Sequence, residues 1–265
     1  TDWDCFVSAS LVVDAFLHHF WRFIDPSHPL YEEKTARRMA PLVDEFYSAV
    51  DEFAGCLLDA AGDEATAALV SDHGFGPTRE VILINNWLAE KGWLVEKKSG
   101  GASVASRFGI TNRTIIDTMI KLDVFKLRTR LRHGLQMPIR NAIDSAFKKE
   151  FDWEASRAYF LSTADFGIYL IPPFKGTTRE EFREELISEL KKLRDDKGEP
   201  LFSGVHRREE IFHGPYLEKA PDVIIIPAGA RVCNAEMSPG PFVQQQKPGL
   251  INGFHRPNGV FALKG

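Results

Sequence analysis

The sequence predicts an α/β fold, a three-layer α/β/α sandwich whose central sheet is mostly parallel. Three observations carry that expectation. Short apolar runs alternate with longer amphipathic ones along the chain. Such alternation places helices on both faces of a sheet. The composition, 44% hydrophobic and 26% charged over 265 residues, is that of a chain able to bury a core. The whole of 1–265 reads as one α/β unit, with 100–150 as a helical insertion.

In chain order, CFVSASLVV (5–13) has the apolar, β-branched character of a buried strand. Residues 14–24 follow as a helix. Phe16, Phe20 and Phe23 recur at three-to-four spacing, and Pro26 stops the run. SHPLYEE is a loop. Residues 34–61 form a long helix whose stripe is Met39, Leu42, Val43, Phe46, Val50, Phe53, Leu57 and Leu58, ended by Gly62. ATAALV (65–70) is a short strand, and INNWLAEKGWL (84–94) a short helix with Gly92 near its end. KKSGGAS is a flexible connection, and 112–149 has a helical pattern rich in Lys and Arg. AYFLS (158–162) and GIYLIPP (167–173) read as strands. In TTREEFREELISELKKLRDD, Thr178 and Glu181 have the spacing of a capping box. DVIIIP (222–227) and GVFAL (259–263) complete the strands.

Composition narrows the function classes. Lys and Arg number 33 against 37 Asp and Glu, a net charge of −4. So balanced a surface argues against bulk attraction to nucleic acid or anionic lipid. The basic stretch within 112–149 reads as a solvated helix face, with a polyanion contact as the alternative. No apolar run reaches the roughly 18 residues that span a bilayer. Cys5, Cys56 and Cys233 lie far apart without paired spacing and read as buried, reduced thiols of a cytoplasmic protein.

The residues able to carry chemistry fall in three places. SDHGFGP sets Asp72 and His73 at the end of the strand-like ATAALV, where α/β sheets collect functional groups. Gly74 and Gly76 suit a tight turn there, and an Asx-turn with an exposed imidazole is the plain alternative. Asp14 and His18 stand at i, i+4 and so share a helix face. The neighbouring His19 points about 100° away. Here the plain alternative is an N-cap aspartate with a part-buried histidine. His255 lies in NGFHRPNG, a structured loop before the last strand, where a lone histidine is often without a role. Together the five give two carboxylates and three imidazoles, a donor set suited to Zn²⁺ or Mn²⁺. Five donors exceed the three that one catalytic zinc takes from protein, so two cations fit better.

DAFLHHFWRFIDPSHPLY, LVSDHGFGP and GFHRPNGVFALKG, in that order, resemble the alkaline phosphatase superfamily and, within it, the type I phosphodiesterase/nucleotide pyrophosphatase branch. The resemblance implies an alkaline-phosphatase-like fold and a metal-dependent phosphoester hydrolase acting on a small-molecule phosphoester or nucleotide. It implies that Asp14, His18 and His255 hold one divalent ion and Asp72 and His73 another, zinc first and manganese second. It also implies a Thr or Ser hydroxyl that attacks phosphorus, giving a covalent phospho-enzyme that water hydrolyses. The family carries that hydroxyl and one further aspartate upstream of the Asp-x-x-x-His motif. Thr1, Ser8 and Ser10 lack its context, so this chain alone is expected to turn over poorly. A phosphomutase, sulfatase or phosphoethanolamine transferase of the same superfamily, or a non-catalytic metal-binding domain, are the alternatives.

Overall fold

Helix α1 (Val12–Ile24) forms because its two faces have separate uses. Phe16, Phe20 and Phe23 fall on one side, and Asp14, Leu17, His18 and Trp21 on the other, as a 3.6-residue period dictates. The first side meets α2 (Glu33–Ala61), where Phe16 stacks on Phe46 with ring centroids 3.8 Å apart. The second side faces segments 74–77 and 253–256, the latter carrying His255. This computed structural model describes residues 4–97, 151–162, 166–246 and 251–264. The segment expected to be helical over 112–149, the insertion at 100–150 and the KKSGGAS connection lie largely outside those bounds.

Beyond α2 come β1 (Ala67–Val70), β2 (Gly74–Pro77), β3 (Glu80–Leu83) and α3 (Ile84–Glu90). After these are β4 (Ala158–Phe160), β5 (Gly167–Leu170), α4 (Arg179–Lys192), β6 (Phe202–Arg207) and α5 (Arg208–Ile211). The chain closes with β7 (Val223–Pro227), β8 (Arg231–Asn234), β9 (Val243–Gln245), β10 (Gly253–Arg256) and β11 (Phe261–Lys264). They pair as β1–β11, β2–β10, β8–β3–β9 and β4–β5–β7–β6.

The α/β content agrees with expectation, but the mostly parallel sheet does not appear among the described residues. Only β3–β8 is parallel; every other ladder is antiparallel. For β4 and β5, connection length explains the antiparallel pairing. A parallel crossover needs a dozen or more residues. Only 161–166 separate β4 from β5, so the chain can turn back but cannot cross over. The strand expected over 5–13 is also absent. Residues 5–11 join no ladder among the described residues, and Val12 already belongs to α1. Phe6 and Val7 are 60% and 84% exposed, so their apolar character buys no burial here.

The principal core sits around the four-stranded sheet. Ile82, Ile84 and Leu88 pack with Phe151, Phe160, Ile168, Phe182, Leu186, Leu201 and Ile225. Several polar groups in and around it are paired. Asn85 donates to the Phe160 and Ala235 carbonyls and accepts from the Phe160 amide, pinning α3 to β4. Asp222 accepts from the Leu170 amide at 2.8 Å and pairs with Arg179 and Arg208. Arg231 bridges Glu80 and Asp195, each at 2.6 Å. The capping box stands as the sequence predicts: the Thr178 hydroxyl accepts from the Glu181 amide, and the Glu181 carboxylate accepts from the Thr178 amide. Such a cap contributes about 1 kcal/mol.

By contrast, much of the expected α2 stripe stays at the surface. Leu42, Phe53 and Leu58 are exposed, and Ala36 is the helix's one buried residue among those described. The cysteines divide: Cys233 is buried, whereas Cys5 and Cys56 are exposed, contrary to expectation. All three are free thiols. Burial pushes the Cys233 thiol far up, which makes it inert.

Candidate metal centre

Two interrupted strand pairs build the site. β1 runs against β11 and β2 against β10, both antiparallel, so segment 67–77 lies along segment 253–264. Pairing breaks between them, where Ser71, Asp72 and His73 face four residues, 257–260. Ser71 still ties the gap: its amide donates to the Val260 carbonyl and its hydroxyl accepts from the Val260 amide. The break is why Asp72 and His73 are free to point away from a ladder.

The glycines act differently from the sequence reading. Neither Gly74 nor Gly76 has a positive φ, and both belong to extended β2. What Gly74 provides is closeness, since a Cβ there would run into the Asn258 carbonyl. Gly253 does the same for β10 against α1: a Cβ would strike the Leu17 carbonyl and lie 2.7 Å from the Trp21 Cβ. β10 can therefore lie directly on the helix face that carries Asp14 and His18.

The result is a tight group. His255 Nε2 stands 3.0 Å from Asp14 Oδ1 and 3.2 Å from His18 Nε2. Asp14 Oδ1 and His18 Nε2 are 3.6 Å apart. His73 stacks on His255 with centroids 3.6 Å apart, and its Nε2 lies 3.7 Å from both Asp14 Oδ1 and Asp72 Oδ1. The Asp72 side chain is 90% exposed and marks the outer edge. Phe75, opposite His255 in the ladder, has ring contacts with His18, His73 and His255 and forms the apolar floor.

Backbone carbonyls fix two of the imidazoles. His18 Nδ1 lies 2.8 Å from the Gly253 carbonyl, and His73 Nδ1 lies 3.1 Å from the Gly74 carbonyl. A carbonyl only accepts, so in the neutral ring Nδ1 carries the proton and the Nε2 lone pair is left for a ligand. That is how a metal-ligating histidine is held. Burial first, then the His73 and His18 imidazoles, push His255 below the usual imidazole range against the pull of Asp14. This favours the neutral form, which binds metals.

The donor atoms fit a small divalent ion. Ligands about 2.0–2.2 Å from a tetrahedral cation stand roughly 3.3–3.6 Å apart. The separations of the Asp14, His18 and His255 group, 3.0, 3.2 and 3.6 Å, lie within about 0.3 Å of that range. Among the described residues, this is the one group of three or more His, Cys, Asp or Glu whose ligand atoms all lie within 4.8 Å of one another.

The family model for type I phosphodiesterase / nucleotide pyrophosphatase matches residues 1–239. The chain belongs to this family. Phosphoester hydrolysis is the family's activity, its members are metal-dependent, and a small-molecule phosphoester suits it as substrate. The match contains Asp14, His18, Asp72 and His73; His255 lies beyond it and reaches the group through the β2–β10 ladder. No curated protein and no solved structure matches the chain. No helix of the described residues is long and apolar enough to cross a membrane.

Two residues near the site escaped the sequence reading. His28 is 3% exposed, yet it fell in a stretch read as loop. Its Nε2–H donates to the Asn252 carbonyl at 3.0 Å, and its Nδ1 accepts from the Leu30 amide at 3.0 Å. Burial holds it below its ordinary value of 6.5. Folding therefore favours the neutral ring, and the unfolded chain takes up the proton first as pH falls. Its contribution to stability is complete above the unfolded value and declines as pH drops below about 6.5. Urea midpoints should fall between pH 7 and pH 5, and the fall should be shallower in His28→Gln. Equal slopes in the two proteins would contradict this. Asn252 is the second such residue.

Proposed function

We propose that the chain carries the cation-binding centre of a two-metal phosphodiesterase of the nucleotide pyrophosphatase type. In this reading Asp14, His18 and His255 hold one divalent ion, and Asp72 and His73 hold the other. The observation that carries it is the convergence of residues 14, 18 and 255, with donor separations of 3.0, 3.2 and 3.6 Å. Three imidazoles and two carboxylates favour zinc, with manganese next. Bound there, a divalent ion supplies Lewis-acid stabilisation to a phosphoryl oxygen.

The chain's own residues do the rest. The Gly253 and Gly74 carbonyls hold His18 and His73 in the ligand tautomer. Phe75 packs its ring against His18 and His255. The Asp72 carboxylate is 90% exposed, so a small phosphodiester or nucleotide could approach past it. The attacking hydroxyl is assigned to none of the residues of this chain.

Metal analysis of the purified protein should return zinc or manganese. Chelation should abolish hydrolysis of bis(p-nitrophenyl) phosphate by the protein in its full natural length, and either ion should restore it. Hydrolysis indifferent to chelator would overturn the reading. Firm metal binding without hydrolysis would favour a non-catalytic metal-binding domain.

A further inference from the structure

Asn252 is 1% exposed, and its polar groups are all engaged. Its amide donates to the His18 carbonyl at 2.8 Å, and its side-chain Oδ1 accepts from the Arg22 amide at 2.8 Å. Its Nδ2 donates to the His19 carbonyl at 2.7 Å. Its own carbonyl accepts from His28 Nε2 at 3.0 Å and from the Thr78 amide at 3.2 Å. The His18 carbonyl and Arg22 amide are an i, i+4 pair of α1, and Asn252 bonds both. One residue thus clips onto the backbone of a single helical turn, and that turn carries His18.

The spacing makes this clip a ruler. The clip spans His18 to Arg22, and the middle of that turn lies six residues from Asp14, about 9 Å along a helix axis. From Asn252 on to His255 is three residues, about 10 Å along a strand. The two lengths nearly match, and the segments run in opposite directions. Once Asn252 is seated at Arg22, Gly253 reaches the His18 ring and His255 arrives beside Asp14. We infer that Asn252 is the positioning residue that sets the register of β10 on α1 and so places His255 within ligand distance of Asp14 and His18. The role requires an amide. An aspartate has the same shape but no donor, and would turn an oxygen toward the His19 carbonyl.

This inference rests on the metal-centre reading, and the test separates the two. Zinc affinity, by competition with a chromophoric chelator, and the visible bands of bound Co²⁺ are compared across wild type, N252A, N252D, His255→Ala and Thr178→Ala. The imidazole ¹⁵N resonances of His18 and His255 are recorded on each metal-free protein. Both Asn252 variants should stay folded by circular dichroism, lose about 10–100-fold in zinc affinity and show altered cobalt bands, as loss of an outer partner does. Both should also shift the two histidine resonances. Thr178→Ala, destabilised at a distant helix cap, should bind zinc like wild type. If wild type binds no metal, or His255→Ala binds as wild type does, the metal-centre reading fails, and the metal-free resonances alone decide the role of Asn252. Resonances that stay in place, wild-type affinity in both Asn252 variants, or unfolding of both would overturn the inference.

Discussion

His255→Ala should lower zinc affinity by at least about 100-fold while leaving the protein folded. The reason for the size is arithmetic of ligands. Loss of a residue that only orients a ligand costs about 10–100-fold, and His255 is itself one of three donors in the proposed set. The reason for the intact fold is its location. The His255 side chain is about one-third exposed, and truncation removes a stack on His73 without opening the principal core. Binding also reports through stability. At a zinc concentration 100 times the dissociation constant, the native state gains about 2.7 kcal/mol. Wild type should therefore melt higher with zinc than without, and His255→Ala should show little shift at the same concentration. His19→Ala serves as control, since that ring points about 100° around the helix from His18. An undiminished zinc shift in His255→Ala would remove residue 255 from the centre.

Asp222→Ala should cost about 3–5 kcal/mol, the range for breaking a buried charge pair on one side. The carboxylate is 3% exposed and serves three partners: the Leu170 amide, Arg179 and Arg208. Truncation leaves the Leu170 amide without its acceptor inside the four-stranded sheet. It also leaves Arg208, only 13% exposed, without its compensating charge. Arg179 is half exposed and can turn to water, so the loss falls mainly on the other two groups. Asp222→Asn keeps the shape and should cost less. Urea denaturation measures both, and a midpoint shift in Asp222→Ala no larger than that of an ordinary surface substitution would show that the pair is offset elsewhere. Zinc affinity of the folded fraction should be unchanged, because Asp222 belongs to the principal core and touches none of the cluster residues.

What the sequence could reveal divides along local and non-local lines. α1, α2, α3 and α4 were readable because periodicity, Pro26, Gly62 and the Thr178–Glu181 box are signals within a few residues of each other. β2 was unreadable for the opposite reason. GFGP has the composition of a turn, and it is extended only because 253–256 runs beside it. The apolar run at 5–13 was misleading, since strand-like composition cannot supply a neighbour. The five candidate ligands stood out only as a set: singly each had a plain structural alternative, and their placement at expected strand ends and on one helix face was part of the signal. Asn252 and His28 stayed hidden because their partners are mostly main-chain groups, which leave no trace in residue identity.

The contact between His255 and Asp14 spans 241 positions. Closing a loop of that length costs about 3–4 kcal/mol more entropy than closing one of four residues, at roughly 0.6 kcal/mol per doubling. The group of donors can therefore form only after α1 and β10, far apart along the chain, have met. On the proposed reading, cation binding would report completed topology: a molecule with β10 undocked should fail to bind zinc while its helices persist.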